Sequence, residues 1–127
     1  MKSEEIPDLV QRFVLTSIPS VPFLEALLLL QAAENEPWDA GRLARRLYLA
    51  ERAAAALLVQ LNEAGFAAEA ATGVFHYAPR SDEIRGLVAS VREAYARNLV
   101  GVTNLIHAKT SKKAQHFSDA FKLRKDS

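Results

Sequence analysis

Hydrophobic residues recur at intervals of three and four along the first part of the chain, which is the spacing of one face of an α-helix. From Ile6 to Ser17 this pattern predicts a short leader helix. Two prolines in "SIPSVP" then interrupt it, because proline removes a backbone donor and disfavours helical angles in the preceding residue. From Pro22, "PFLEALLLLQAAEN" is apolar on almost every side, so we expect a helix in the middle of the domain.

The segment from Asp39 to Gly65 predicts two helices joined by a tight turn. Asp39 is a suitable N-cap for a helix that runs to about Tyr48, and the expected inner face consists of Leu43, Ala44, Leu47 and Tyr48. Residues 49–50 make the turn. A further helix begins near Glu51 and ends at Gly65, a residue suited to a left-handed C-cap. Its expected inner face consists of Ala54, Leu57, Leu58 and Leu61.

Two short extended runs follow this helix pair. They span Phe66 to Ala71 and Val74 to Ala78, around Thr72-Gly73, a pair that suits a hairpin turn. We therefore expect a mainly α-helical fold with a small β-hairpin. Three helices followed by a two-stranded hairpin make up the winged helix-turn-helix arrangement.

The chain returns to helical spacing after Pro79, with Ser81 as a suitable N-cap. The three-four pattern continues through two glycines, which predicts one long helix with more apolar surface than a single protomer covers. We expect it to dimerise through Ile84, Leu87, Val88, Val91, Tyr95, Leu99, Val102, Leu105 and Ile106, with Phe117 and Phe121 docked on it. The predicted organisation is a leader helix at 1–20, a winged-helix domain at 21–79, and a C-terminal helical dimerisation segment with a basic tail at 80–127.

Composition narrows the class of protein. The chain has 127 residues and no cysteine, so disulfides, thiolate zinc sites and cysteine nucleophiles are excluded. Apolar runs such as Ala26 to Leu30 are far shorter than the roughly 20 residues of a membrane span. The acidic start "MKSEEIPDLV" lacks the features of a secretory signal. We therefore expect a soluble cytoplasmic protein that does not associate with membranes.

Charge is distributed unevenly along the chain. Residues 1–83 contain 7 Lys and Arg against 12 Asp and Glu, whereas residues 84–127 contain 9 against 3. The first 83 residues are therefore acidic as a group, and the rest of the chain is basic. The basic tail is either solvated, in contact with DNA beside a binding site, or in contact with an acidic protein.

The stretch from Val21 to Pro79 resembles bacterial winged-helix transcriptional regulators, including the multiple-antibiotic-resistance type. The resemblance lies in the order of "FLEALLLLQAAEN", "DAGRLARRLYL", "ERAAAALLVQLNEAGF" and "AAEAATGVFHYAP". The ending "LNEAGF" is similar to the signature that closes the recognition helix in that superfamily. The resemblance implies that the helix from Glu51 enters the major groove, that the hairpin touches the DNA backbone or minor groove, and that the long following helix forms a homodimer.

On that interpretation, the DNA-facing residues of the Glu51 helix are few. Its outward positions are Glu51, Arg52, Ala55, Ala56, Val59 and Gln60, of which Arg52 and Gln60 suit hydrogen bonds to base edges. Thr72 lies at the tip of the hairpin, which has no lysine or arginine. Arg42, Arg45 and Arg46 lie on one side of the preceding helix and suit phosphate contacts; alternatively they are solvated charges partly neutralised by Asp39 and Glu51.

An alternative function follows from the same helix. Its alanine-rich outer side suits close packing against another protein, which predicts a winged-helix interaction module that has lost DNA binding.

The aromatic residues also allow two interpretations, a core or a small-molecule pocket. They are Trp38, Phe66, Phe75 and Tyr77.

Catalytic and metal-binding interpretations receive little support from the residues. His76, His107 and His116 do not form a set of three or four ligands, and His116 with Asp119 is the best pair available. There is no glycine-rich phosphate loop and no recognisable nucleophile with a base partner. We therefore expect a non-enzymatic protein without a metal or cofactor.

Overall fold

Six helices and one β-hairpin make up the part of the chain that the structure, a computed structural model, describes, which is residues 5–108. In chain order the elements are α1 (Asp8–Ser17), α2 (Val21–Ala32), α3 (Ala40–Leu47), α4 (Glu51–Glu63), β1 (Ala67–Ala71), β2 (Val74–Tyr77), α5 (Asp82–Arg97) and α6 (Leu99–Ala108). The prediction of a mainly helical fold with a small antiparallel hairpin is therefore confirmed.

Side-chain caps mark the starts of α2, α3 and α5. Ser20 accepts a hydrogen bond from the Phe23 amide at 3.2 Å at the start of α2. Asp39 accepts one from the Arg42 amide at 2.8 Å, and Ser81 accepts one from the Ile84 amide at 3.1 Å. The predicted caps Asp39 and Ser81 are confirmed, and each such cap typically contributes about 1 kcal/mol.

All of these elements share one apolar core. Helix α2 lies within it, as its all-round apolar pattern predicts. Helix α4 contributes the four expected residues, Ala54, Leu57, Leu58 and Leu61. The leader helix α1 also belongs to the core, because it packs on α5 and buries Val10, Phe13 and Val14. Trp38, Phe66, Phe75 and Tyr77 are buried there as well, which favours their interpretation as core residues.

The end of α4 is built around Gly65 and Phe66. Gly65 has φ +87°, a left-handed angle that glycine adopts without steric cost. The Phe66 amide donates to the Leu61 carbonyl at 3.0 Å and the Gly65 amide to the Asn62 carbonyl at 3.2 Å, which is the Schellman pattern. This turn directs the Phe66 ring into the core, edge-on to Phe13 and Phe23 with centroids 5.9 Å away in each case.

Strand β2 is hydrogen-bonded along both of its edges. Strand β1 pairs with β2 in antiparallel register, with Ala67 opposite Tyr77 and Glu69 opposite Phe75. On the other side of β2, the Trp38 amide donates to the Phe75 carbonyl at 2.7 Å and the Phe75 amide to the Trp38 carbonyl at 2.8 Å. Trp38, just before the N-cap of α3, therefore forms a single β-bridge that connects the hairpin to the helices.

The C-terminal region differs from the expected single long helix, because two helices meet at Asn98. The Asn98 amide donates to the Ala94 carbonyl at 2.8 Å and closes α5. Its side-chain oxygen accepts from the Gly101 amide at 2.9 Å and caps the start of α6. Asparagine competes with the helix in this way through its own side chain, a preference that an apolar pattern does not record.

Four of the expected dimerisation residues lie inside the protomer instead. Val88, Val91, Val102 and Ile106 are each at most 1% exposed. Helix α1 covers the apolar stripe of α5, so a second copy is not needed to bury it. Ile84, Leu87, Tyr95 and Leu105 are partly buried against the same core, and Leu99 is 53% exposed. Phe117 and Phe121 lie outside the described residues.

Polar contacts join α5 to α2. Arg85 pairs with Glu34, and Arg92 bonds to Gln31 and to the Leu28 carbonyl. The Arg85 guanidinium also lies 5.5 Å from the centre of the Tyr77 ring. Burial raises the pKa of Tyr77, an effect that the positive charge of Arg85 partly opposes. These contacts hold α5 against α2 and the turn that follows α2.

Within residues 5–108, no single helix has both the length and the hydropathy to cross a membrane. Helices α1 and α2 satisfy both conditions only when taken together, and they meet at an angle of 111°.

We predict opposite effects of alanine at two glycines. Gly65→Ala lowers the free energy of unfolding by about 1–2 kcal/mol, because alanine is strained at this φ and its Cβ contacts the Arg80 side chain. Gly86→Ala raises it by about 0.5–1 kcal/mol, because Gly86 lies inside α5 where a Cβ meets no atom within 4 Å. Urea denaturation of both variants measures the difference. Equal effects of the two substitutions would contradict the role assigned to Gly65.

Candidate functional site

The connection between α3 and α4 brings charged side chains together at one corner of the molecule. We call residues 45–52, from the last turn of α3 to the first turn of α4, the α3–α4 corner. Gly41 allows the two helices to approach there, since a Cβ on it would lie 3.2 Å from Glu51 Oε1 and 3.4 Å from Arg45 Nη1. The acidic end of Glu51 therefore lies near the Arg45 guanidinium and offsets part of its charge.

Arg42, an expected phosphate-binding residue, is engaged within the protein. Its guanidinium donates to the Pro37 carbonyl at 2.7 Å and to Glu36 Oε1 at 2.8 Å. The same group lies 3.9 Å from the centre of the Trp38 ring, which is a cation–π contact. Arg42 therefore stabilises the segment that pairs with the hairpin. Its positive charge is already partly neutralised by contacts within the protein.

The other three arginines of the predicted site are exposed. Arg45 and Arg46 lie in the last turn of α3, and Arg52 lies in the first turn of α4. Arg46 is 6.0 Å from the Trp38 ring centre. In the described part of the chain, none of the three forms an ion pair with a carboxylate. They provide three positive charges at the α3–α4 corner, with Glu51 beside them.

The outer face of α4 is open to solvent, as predicted. All of its expected outward residues are exposed, namely Glu51, Arg52, Ala55, Ala56, Val59 and Gln60. Val59 is 45% exposed, a large value for a valine in a helix whose opposite face is fully buried. The centre of this face is therefore small and apolar, with polar groups at its two ends.

The hairpin beside α4 carries an acidic group and no basic one. Thr72 and Gly73 are exposed at its tip. The Glu69 carboxylate accepts a hydrogen bond from the Gly73 amide at 2.8 Å and closes the turn. Residues 67–77 contain no lysine or arginine. Thr72 is thus the polar side chain that the hairpin tip offers to a partner, and the hairpin adds no positive charge to the site.

Tyr48 is the residue of the corner that the sequence analysis placed wrongly. We expected it on the inner face of α3, but its side chain is 94% exposed. Its φ of +57° and ψ of +46° turn the chain into the left-handed region, so the side chain leaves the helical face. Glycine or asparagine commonly marks such a helix end, and a tyrosine gives no comparable signal.

A groove lies elsewhere on the molecule, between α1, α5 and the end of α4. Its volume is about 660 Å³, and its apolar lining includes Leu9, Phe13, Phe66 and Leu87. Arg12, Glu83 and Ser90 are polar residues of the same lining. The histidines in the described range, His76 and His107, belong to no group of three or more potential metal ligands there. The α3–α4 corner and the outer face of α4 therefore remain the surface with the most distinctive chemistry.

Comparisons of the chain with models of protein families, with curated proteins and with solved structures found no match.

We predict that two neighbouring arginines differ in their effect on stability. Arg42→Ala lowers the free energy of unfolding by about 1–2 kcal/mol, since it removes the cation–π contact with Trp38 and two hydrogen bonds. Arg45→Ala is the matched control and changes it by less than about 0.5 kcal/mol, because this side chain is exposed. Thermal or urea unfolding distinguishes the two. Equal stability of both variants would show that the contacts of Arg42 contribute nothing.

Proposed function

We propose that this chain is a winged-helix transcriptional regulator that binds duplex DNA as a homodimer. The order of elements supports the assignment: α2, the Trp38 segment, α3, α4 and then the hairpin, with Trp38 paired to the hairpin. In such a domain α4 lies in the major groove and the hairpin lies beside it on the backbone. A bacterial regulator of this kind acts in the cytoplasm, where the DNA is.

The observation that carries the proposal is the group of three exposed arginines at the α3–α4 corner. Arg45 and Arg46 belong to the helix that crosses the DNA backbone in a helix-turn-helix, and we assign them to phosphate contacts. Arg52 lies in the first turn of α4, the part of a recognition helix that reaches base edges. Gln60, two turns further along, is the second base-reading side chain, and Thr72 contacts the backbone from the hairpin.

The homodimer is supported by the surface of α6. Leu99 and Val100 are 53% and 65% exposed at the start of this helix. Adjacent exposed aliphatic side chains of this size favour burial in an interface. A dimer also brings two α3–α4 corners to one duplex, which doubles the positive charge available. Phe117 and Phe121 remain part of this proposal as residues of the C-terminal segment.

A second candidate function is supported by the centre of α4. Ala55, Ala56 and Val59 form an exposed patch without charge, and small side chains let another helix approach closely. Glu51 and Glu69 flank this face and repel phosphate. Both features favour a protein partner, so a winged-helix interaction module that does not bind DNA is the alternative.

We predict that the wild-type protein binds mixed-sequence duplex DNA at low salt. Two protomers, each with Arg45 and Arg46 on phosphates, make about four such contacts, which should weaken binding roughly 10²-fold between about 50 and about 200 mM salt. Fluorescence polarisation of a labelled duplex at both salt concentrations measures this slope, and sedimentation of the complex gives the number of protomers. Undetectable binding at low salt would contradict the regulator proposal and favour the protein-interaction alternative.

We predict that the arginines of the corner divide into two kinds. The double variant Arg45→Ala/Arg46→Ala should weaken binding to all duplexes alike and reduce the salt slope, because phosphates carry no sequence information. Arg52→Ala should also reduce the ratio of affinities between a selected and an unrelated duplex, by about tenfold.

The charge-matched control for these variants is Arg12→Ala/Arg97→Ala, which removes two exposed arginines from α1 and α5. If this control weakens binding as much as the corner variant, net charge rather than the α3–α4 corner governs the interaction.

A further inference from the structure

Two helices in this protein end in the same way with different residues at the critical position. At the end of α4, Gly65 adopts the left-handed conformation. At the end of α3, Tyr48 does so, and the Leu49 amide donates to the Ala44 carbonyl at 3.0 Å, as the Phe66 amide does to Leu61. Glycine adopts this conformation without steric cost, whereas an aromatic residue is strained there because its Cβ crowds the backbone.

The strain at Tyr48 has no visible compensation inside the protein. Its side chain is 94% exposed. Among residues 5–108 it forms no hydrogen bond, ion pair or ring contact. The other two tyrosines, Tyr77 and Tyr95, are buried or partly buried. The backbone strain opposes folding and the exposed ring gains nothing from burial to offset it, which points to a contact with a partner.

The surroundings of Tyr48 point to the chemistry of that contact. It lies between Arg45, one turn earlier in α3, and Arg52, at the start of α4, and both arginines are exposed. Tyrosine hydroxyls, like arginines, are common donors to DNA phosphates. We infer that Tyr48 is a DNA-contacting residue whose hydroxyl donates a hydrogen bond to a backbone phosphate next to the one held by Arg45. This role rests on the proposed DNA binding and adds a residue to it.

The inferred contact explains why this position holds a tyrosine, although a glycine would adopt the left-handed backbone with less strain. A left-handed residue at the helix end turns its side chain away from the core and outward from the corner. The backbone of the turn is fixed by the hydrogen bond to Ala44, so the ring is presented with few remaining degrees of freedom. Binding then orders only two side-chain torsions, which keeps the entropic cost of the contact small.

Two substitutions test the role without unfolding the protein. Tyr48→Phe removes only the hydroxyl. Tyr48→Gly removes the whole side chain and relieves the backbone strain, so its melting temperature should be no lower than that of the wild type. Fluorescence polarisation against two duplexes of unrelated sequence should show binding weakened about tenfold by Tyr48→Phe, to the same extent on both, and at least as much by Tyr48→Gly.

The outcomes separate this role from the function on which it rests. If the wild type binds DNA and Tyr48→Gly binds it with the same affinity, Tyr48 makes no contact with DNA. That result overturns this role and leaves the regulator proposal intact. Weaker binding by Tyr48→Gly alone, with Tyr48→Phe equal to wild type, overturns the hydroxyl–phosphate bond and assigns the contact to the ring. A melting temperature of Tyr48→Gly below that of the wild type shows that the backbone at Tyr48 is not strained, and it overturns the role inferred from that strain. No binding by the wild type overturns the proposed function and this role together.

Discussion

The insertion of Phe66 between Phe13 and Phe23 is the contact on which the rest of the structure depends. Three elements meet at this ring, because Phe13 belongs to α1, Phe23 to α2, and Phe66 to the junction of α4 and β1. The ring reaches the core only because Gly65 turns the chain through a left-handed angle. The same turn ends α4 and starts the hairpin beside it, so one backbone constraint determines both the length of the exposed helix and the position of the hairpin.

A second constraint acts at the opposite edge of the hairpin. Trp38 is hydrogen-bonded to Phe75 through the backbone and is covered by the Arg42 guanidinium. Arg42 lies in the first turn of the helix that carries Arg45 and Arg46, so a single residue links the hairpin to the α3–α4 corner. Arginines of one short helix thus have different tasks: the first supports the fold, and the later ones remain available at the surface. Charge counted from sequence alone does not make this distinction.

Most of the elements could be predicted from the sequence, because they follow from local rules. The caps Asp39 and Ser81, the four inner residues of α4 and the two strands depend on spacing and on residue type. The predictions that were wrong concern which element packs against an apolar helix face. The stripe of α5 predicts burial, but it does not identify α1 as the partner, and so Val88 and Val91 were assigned to a dimer interface. Tyr48 was misplaced because a left-handed tyrosine is too uncommon to be expected from its type.

The distribution of charge around α4 has a consequence for the kind of DNA recognition proposed. Arg45 and Arg46 supply phosphate contacts. Among the expected outward side chains of α4, Arg52 and Gln60 suit hydrogen bonds to base edges, whereas Ala55, Ala56 and Val59 offer apolar contact. Direct readout by one protomer is therefore weak compared with its attachment to the backbone. Sequence preference in such a protein has to come from the spacing of two half-sites in a dimer and from the shape of the DNA between them. The dimer is thus a requirement of the regulator proposal and not an addition to it.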